Sequence, residues 1–194
     1  LKSLTIVCAR RKMRKWGMKE ISALDRLKKL QRLELFKFDI RKLLMLKHSS
    51  VMKQLKHFTL GQLYVYLGAR NFNRAFNPNQ PNRIANDLHV VNQLCMGLNP
   101  ARLRCLELNQ VFMTITELNE LLGGSDDASA IGKHLTHLTL NISNCLEINN
   151  GSDNEVARIL HSAGILTVNH AAAVCRNCPR LTSLHCTLMG DPVS

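Results

Sequence analysis

The chain has 194 residues, 45% of them hydrophobic and 21% charged, which is enough for one or two domains with their own hydrophobic core. No apolar run approaches the roughly 18 residues of a membrane-spanning helix, and the first residues lack the charge order of a secretory signal. The formal net charge is +12, and its excess lies in residues 1–56, which carry 17 Lys and Arg against 4 Asp and Glu.

One pattern recurs along the chain: an apolar residue, two others, a second apolar residue, one other and a third apolar residue. The last two apolar positions alternate with polar residues, which is typical of a β-strand. We expect the first apolar residue to close the turn that leads into the strand. The six segments begin at Leu1, Leu30, Leu55, Leu103, Leu135 and Leu181 and are LKSLTI, LQRLEL, LKHFTL, LRCLEL, LTHLTL and LTSLHC.

Helical patterns lie between these segments, so strand and helix are predicted to alternate. Each pattern is marked by apolar residues at helical spacing, by a capping residue at its start, or by both. The patterns begin near Ile21, Asp39, Ile84, Thr114 and Ser152.

Two insertions are predicted, near residues 68–82 and 123–132. The first contains five Asn together with Pro78 and Pro81, a composition that excludes a regular helix. Two interpretations of its Phe72 and Phe76 stay open: they anchor a partner, or they fold back onto the edge of the domain.

Alternating short strands and helices fit either a doubly wound sheet or a leucine-rich solenoid. We favour the solenoid, because the strands share one template and no Gly-rich phosphate loop follows any of them. The LxxLxL segments resemble leucine-rich repeats of the helical-return subclass, found in ribonuclease-inhibitor-like and F-box-type proteins. The segment from Cys178 to Leu184, CPRLTSL, is similar to the Cys-Pro-x-Leu-x-x-Leu motif of F-box-associated repeats.

The resemblance implies an α/β fold with about six repeats, a curved parallel sheet on the concave side and helices on the convex side. The family's Asn or Cys three residues after the last strand leucine is missing, which predicts an irregular arc. We expect residues 1–194 to form a single domain within a longer chain. We base this expectation on the two ends, because neither carries a polar capping unit. Without such a unit, Leu4 and Ile6 would be exposed at one end and Leu184 at the other.

The outward-facing strand positions and the residues at the strand starts form the predicted partner-binding surface. Its mixed polarity suits a protein better than a small apolar ligand, so the leading hypothesis is a non-enzymatic protein-binding module. The resemblance implies the substrate-recognition repeats of an F-box-type ubiquitin-ligase adaptor. The predicted surface consists of Arg32, Glu34, Lys56, Thr59, Arg104, Glu107, His137, Thr139 and His185.

A basic run supports an alternative, in which the N-terminal repeats bind nucleic acid or a ribonucleoprotein. The bland interpretation of the same run is a solvated face that keeps a repeat protein soluble. The run consists of Arg10, Arg11, Lys12, Arg14 and Lys15.

A third hypothesis is an enzyme with a zinc or thiol site near Cys175, whose spacing from Cys178 suits a metal. Two buried packing thiols explain the pair better, with Cys175 on the inner face of a helix. No nucleophile elbow, HExxH motif or Walker loop is present, so we predict no enzymatic activity, no cofactor and no metal. The cysteines are odd in number and irregularly spaced, which favours a reducing compartment, the cytoplasm or nucleus.

Overall fold

The structure, a computed structural model, describes residues 1–8, 18–38, 40–61, 90–109, 115–123, 130–141 and 168–186. Three predictions lie outside these residues: the basic run at residues 10–15, the insertion at 68–82 and the helix that begins near Ser152. The capping role of Asp39 lies outside them as well.

Each of the six leucine-led segments contains a β-strand. The strands form one six-stranded sheet in the order in which they occur along the chain, and every neighbouring pair is parallel. The predicted α/β class is therefore confirmed. The strands are β1 (Ser3–Val7), β2 (Arg32–Phe36), β3 (His57–Gly61), β4 (Cys105–Asn109), β5 (His137–Asn141) and β6 (Ser183–Cys186).

The strands pair in the same register, so equivalent positions of the six segments lie side by side. A repeated backbone contact extends this pairing into the turn before each strand. The carbonyl of Lys2 accepts hydrogen bonds from the N–H groups of Gln31 (2.8 Å) and Arg32 (3.0 Å). The same pair of hydrogen bonds to one carbonyl oxygen recurs at the next four junctions. The accepting carbonyls there belong to Gln31, Lys56, Arg104 and Thr136.

The described residues contain four α-helices, α1 (Met18–Asp25), α2 (Val90–Cys95), α3 (Ile115–Gly123) and α4 (Val168–Asn177). The first three lie in the patterns predicted near Ile21, Ile84 and Thr114, whereas α4 lies after the pattern predicted from Ser152. The pattern after Asp39 instead forms a 3₁₀ helix, Ile40–His48. Its chain segment is the shortest of the five strand connections. Because a 3₁₀ helix rises about 2.0 Å per residue against about 1.5 Å in an α-helix, it spans the sheet with fewer residues.

The predicted insertion at 123–132 begins and ends in regular structure. Gly123 is the last residue of α3, and Ile131–His134 forms a 3₁₀ turn that is followed by the buried Leu135. Residues 124–129 lie outside the described part of the chain.

The core lies between the helices and one face of the sheet. The apolar residues at the second and fourth positions of the four inner strands are at most 1% exposed, and they form one cluster with the apolar faces of α1 to α3 and with Val174 of α4. Leu30, Leu55, Leu103 and Leu135, the first residues of their segments, are also buried. At the edges, Leu184 is exposed as expected, whereas Leu4 and Ile6 are partly buried against the cluster.

Among the described residues, none of the helices combines the length and the apolar character needed to cross a lipid bilayer.

Candidate functional site

The face of the sheet opposite the core carries two rows of mainly polar side chains across all six strands. Successive side chains of a strand point to opposite faces, so the first, third and fifth positions of each strand share this face. The fifth positions are less polar and hold Val7, Phe36, Gly61, Asn109 and Asn141. The common register aligns the first and third positions in two rows, which we call the polar face. One row is Ser3, Arg32, His57, Cys105, His137 and Ser183, and the other is Thr5, Glu34, Thr59, Glu107, Thr139 and His185.

Seven of the nine predicted partner-binding residues lie in these two rows. The other two, Lys56 and Arg104, are exposed residues that directly precede β3 and β4. The Arg104 guanidinium donates hydrogen bonds to the carbonyl oxygens of Ala101 (2.9 Å) and Leu103 (2.8 Å), so it also holds the turn before β4.

Thr59 requires a correction, because it is only 1% exposed. Its hydroxyl lies 3.1 Å from His57 Nε2 and donates to Glu107 Oε2 at 3.3 Å. The larger side chains around it cover the threonine. Thr59 therefore supports the polar face from below and offers little surface to a partner.

Glu34 organises the β1–β2 side of the polar face. Its carboxylate accepts hydrogen bonds from Thr5 Oγ1 (2.5 Å) and from Arg32 Nε (2.7 Å). Partial burial raises the pKa of Glu34, but the hydrogen bonds from Thr5 and Arg32 and the Arg32 charge outweigh it, so the net pKa is lowered. Arg32 and Glu34 thus form an ion pair that neutralises both charges.

Four side chains meet at the centre of the polar face, on β3 and β4: His57, Thr59, Cys105 and Glu107. We call them the central cluster. His57 Nε2 lies 3.0 Å from Glu107 Oε1 and 3.6 Å from Cys105 Sγ, and the Cys105 thiol lies 3.7 Å from Glu107 Oε1. The ligand atoms of His57, Cys105 and Glu107 all lie within 4.8 Å of one another.

The electrostatics of the central cluster keep the imidazole and the thiol uncharged. Burial lowers the pKa of His57, and the Arg32 charge lowers it further, against the opposing effect of Glu107 and Glu34. Burial, assisted by the Glu107 charge, raises the pKa of Cys105 to about 11. With its proton on Nε2, the neutral imidazole donates to the Glu107 carboxylate, which also accepts from Thr59 and Cys105.

This arrangement does not activate Cys105 as a nucleophile. A thiolate is the reactive form, and a raised pKa keeps the thiol protonated near neutral pH. In a catalytic triad the carboxylate and the nucleophile contact different nitrogens of the histidine. In the central cluster one atom, His57 Nε2, faces both groups.

Sequence reasoning did not select His57 and Cys105. They are 48 residues apart, and only the pairing of β3 with β4 places them opposite each other. A signal was present all the same: both occupy the first strand position, the one that led to the selection of Arg32 and His137.

The cysteine pair near the C-terminal end is also partly corrected. Cys178 is buried as expected, and burial raises its pKa to about 11. Cys175, expected on the inner face of its helix, is exposed on α4. The three ligand atoms that meet in the described residues therefore lie on β3 and β4, away from this pair.

Comparisons with protein-family models, with curated proteins and with solved structures give no match for this chain.

Proposed function

We propose that this chain is a non-enzymatic protein-binding module of the leucine-rich-repeat type and that its partner docks on the polar face. The observation that supports the proposal is the common register of the six strands. It lays two continuous rows of mainly polar side chains on the face that no helix of the hydrophobic cluster covers. In the proposed solenoid, the sheet curves with this face on its concave side.

The size of the polar face is consistent with a partner that also touches the strand starts. Six strands spaced about 4.8 Å apart form a face roughly 25 Å wide, and five-residue strands make it about 16 Å tall. The area of such a face, about 400 Å², is about half of the roughly 800 Å² that each partner contributes to a standard interface. Exposed residues next to the strands, such as Lys56 and Arg104, would supply the remaining contacts.

The resemblance to F-box-type repeats supports a more specific role, as the substrate-recognition part of a ubiquitin-ligase adaptor. The partner would then be a substrate protein or another ligase subunit. The proposal includes a cytoplasmic or nuclear location, on the ground of the cysteine pattern in the sequence.

The test compares two pairs of charge reversals and one steric block. Lys56→Glu with Arg104→Glu changes the predicted surface, and Thr139→Arg places a long side chain on the polar face. Lys28→Glu with Lys29→Glu makes the same charge change at exposed residues of the turn after α1. Arg32 is left unchanged, because its substitution would also remove the ion-pair partner of Glu34. Circular dichroism checks that the fold survives the loss of the hydrogen bonds that Arg104 donates to the turn before β4.

The partner is identified by crosslinking the full chain in cell extract, and its affinity is then measured with purified proteins by calorimetry. We expect the double reversal and Thr139→Arg each to weaken binding at least about tenfold, or roughly 1.4 kcal/mol. The control pair is expected to change the affinity by less than about twofold, since Lys28 and Lys29 lie outside the predicted surface. Equal weakening in the control pair, or unchanged affinity in both surface variants, would contradict docking on the polar face.

The basic excess of residues 1–56 favours a second candidate function, association with nucleic acid. Binding through phosphates falls steeply with salt, because each neutralised phosphate releases counterions. Nuclease treatment of the captured complex separates the two candidates. A partner that is lost after nuclease treatment, or that dissociates steeply with added salt, supports nucleic acid or a ribonucleoprotein.

A further inference from the structure

We propose that His57, Cys105 and Glu107 bind one zinc ion at the centre of the polar face. The three side chains supply an imidazole nitrogen, a thiolate sulfur and a carboxylate oxygen, which are the three donor types that zinc accepts in proteins. Magnesium and calcium prefer sites built from oxygen alone, so the nitrogen and sulfur donors select against them.

The distances between the donor atoms match those around a tetrahedral zinc ion. Zinc lies about 2.0–2.1 Å from nitrogen, about 2.0–2.2 Å from oxygen and about 2.3 Å from sulfur, so tetrahedral angles separate its ligand atoms by roughly 3.3 to 3.7 Å. The nitrogen–oxygen, nitrogen–sulfur and sulfur–oxygen distances in the cluster are 3.0, 3.6 and 3.7 Å. Shifts of about 0.3 Å or less bring all three pairs to the values of a zinc complex.

Hydrogen bonding accounts for each of these contacts taken singly. Hydrogen bonding does not require three potential metal-ligand atoms from three side chains to lie close to one another in a triangle, as Nε2, Sγ and Oε1 do. A metal ion does require such a triangle, because each ligand atom must reach the same point. The closed triangle is the observation on which the proposal rests.

The sheet holds the three ligands on a rigid support. His57 lies directly opposite Cys105 in the β3–β4 register, and Glu107 follows Cys105 by two residues on the same face. On the other face of these strands, Phe58 and Leu106 are fully buried in the core. Ligands on paired strands with such packing are held more precisely than ligands on loops.

The local charges also favour a divalent cation. A Cys105 thiolate and a Glu107 carboxylate together balance the two charges of zinc. The Arg32 guanidinium acts on His57, but its ion-pair partner Glu34 acts on the same imidazole in the opposite direction and offsets part of its charge. As the bond from sulfur to zinc forms, the bond from sulfur to its proton breaks and the proton passes to the buffer. Nε2 of His57 also releases its proton to water while Nδ1 takes one up, so the imidazole stays neutral and binds zinc through Nε2.

Three protein ligands leave the fourth coordination position open to water. Structural zinc sites have four protein ligands, whereas sites with three keep one position for water or an incoming group. Solvent reaches this position, since the side chains of His57 and Glu107 are 19% and 27% exposed. The proposed site is therefore an exchangeable zinc site on an open surface, and it is not needed to hold the fold together.

The experiment uses the full chain, stripped with a chelator under reducing conditions and then freed of the chelator. Zinc affinity and stoichiometry are measured in competition with a chromophoric chelator. Cobalt serves as a spectroscopic probe, because a tetrahedral cobalt–thiolate site gives intense visible bands and a near-ultraviolet sulfur-to-metal charge-transfer band. Circular dichroism confirms that each variant is folded.

Two variants remove ligands with little change of shape, Cys105→Ser and Glu107→Gln. Two controls remove the same donor types elsewhere: Cys175→Ser takes away an exposed thiol on α4, and Glu120→Gln takes away an exposed carboxylate on α3. We expect one zinc per chain, and a loss of affinity of at least roughly 10–100-fold in each ligand variant, the range found even for partners outside the metal's own ligands. The controls are expected to keep the wild-type affinity and cobalt spectrum.

Absence of a 1:1 zinc complex in the wild-type chain would overturn the proposal. Zinc affinity that is unchanged in Cys105→Ser and Glu107→Gln, or a cobalt charge-transfer band that survives Cys105→Ser, would overturn it as well. The titration needs no partner protein, so its failure would leave the proposed docking on the polar face untouched.

Discussion

Gly132 provides a direct test of how the elements behind the sheet pack together. It lies in the 3₁₀ turn before β5 and is buried between α3 and the end of α4. A Cβ atom added at this position would lie 2.5 Å from the carbonyl oxygen of Asn177 and 2.9 Å from that of Leu122. It would also lie 2.9 Å from Cys178 Sγ.

The cost of Gly132→Ala follows from these distances. Carbon and oxygen atoms in contact normally stay about 3.3 Å or more apart, so the added methyl group overlaps two backbone carbonyls by about 0.4 to 0.8 Å. Both carbonyls belong to helices, which must separate to accommodate it. Overpacking of this kind costs about 1–3 kcal/mol, and the stiffer unfolded chain returns about 0.4–1 kcal/mol. We expect a net loss of about 1.3 kcal/mol in the free energy of unfolding, the difference between the middle values of these two ranges.

Gly123→Ala is the matched control. The nearest atom to its added Cβ is the side-chain oxygen of Asn177, at 3.2 Å, and this side chain can yield. Alanine also favours the last turn of α3, so we expect stability to be unchanged or raised by up to about 1 kcal/mol. Urea unfolding of the two variants measures the difference. If Gly132→Ala unfolds within about 0.5 kcal/mol of wild type, an amount typical of a surface change, the described packing of α3 and α4 on this turn is wrong.

Two further predictions concern titration and thiol reactivity. Burial raises the pKa of Asp25, but hydrogen bonds from Ser49 (2.6 Å) and Ser50 (2.9 Å) lower it by more. The folded-state pKa is thus below the unfolded value of about 3.9, so this stabilisation is present above that pH and is lost as the pH falls. Urea unfolding at several pH values should show a shallower acid loss in Asp25→Asn, and equal slopes would contradict the assignment. In the native chain, iodoacetamide should modify Cys175 at least roughly tenfold faster than Cys95, because Cys95 is fully buried and burial raises its pKa to about 12. Peptide mass spectrometry measures both rates, and similar rates would refute the described burial of Cys95.

The sequence predicted the strands well because their signal is local and repeated. Each leucine-led segment places two apolar residues on one side of a strand, and this alternation survives differences in the connecting segments. The same pattern identified the first leucine of each segment as the residue that closes the turn. Leu30, Leu55, Leu103 and Leu135 are indeed buried immediately before their strands.

The exact form of the connections was harder to predict. The apolar spacing after Asp39 is compatible with either an α-helix or a 3₁₀ helix, and the length of chain available decided between them. Cys175 was misplaced for a related reason. Which face of α4 meets the core depends on how the helix is rotated over the sheet, and a pair of cysteines three residues apart does not specify that rotation.

The order of residues along this chain was sufficient to determine that strands and helices alternate and which strand positions are polar, because alternation and helical spacing are properties of neighbouring residues. The register between strands was decided only in three dimensions. A shift of one residue between β3 and β4 would send Cys105 and Glu107 to the other face of the sheet, away from His57. The buried position of Thr59, the hydrogen bond from Thr5 to Glu34 and the meeting of His57 with Cys105 and Glu107 all depend on the register between neighbouring strands. Each of them joins residues that are 29 to 48 positions apart in the sequence.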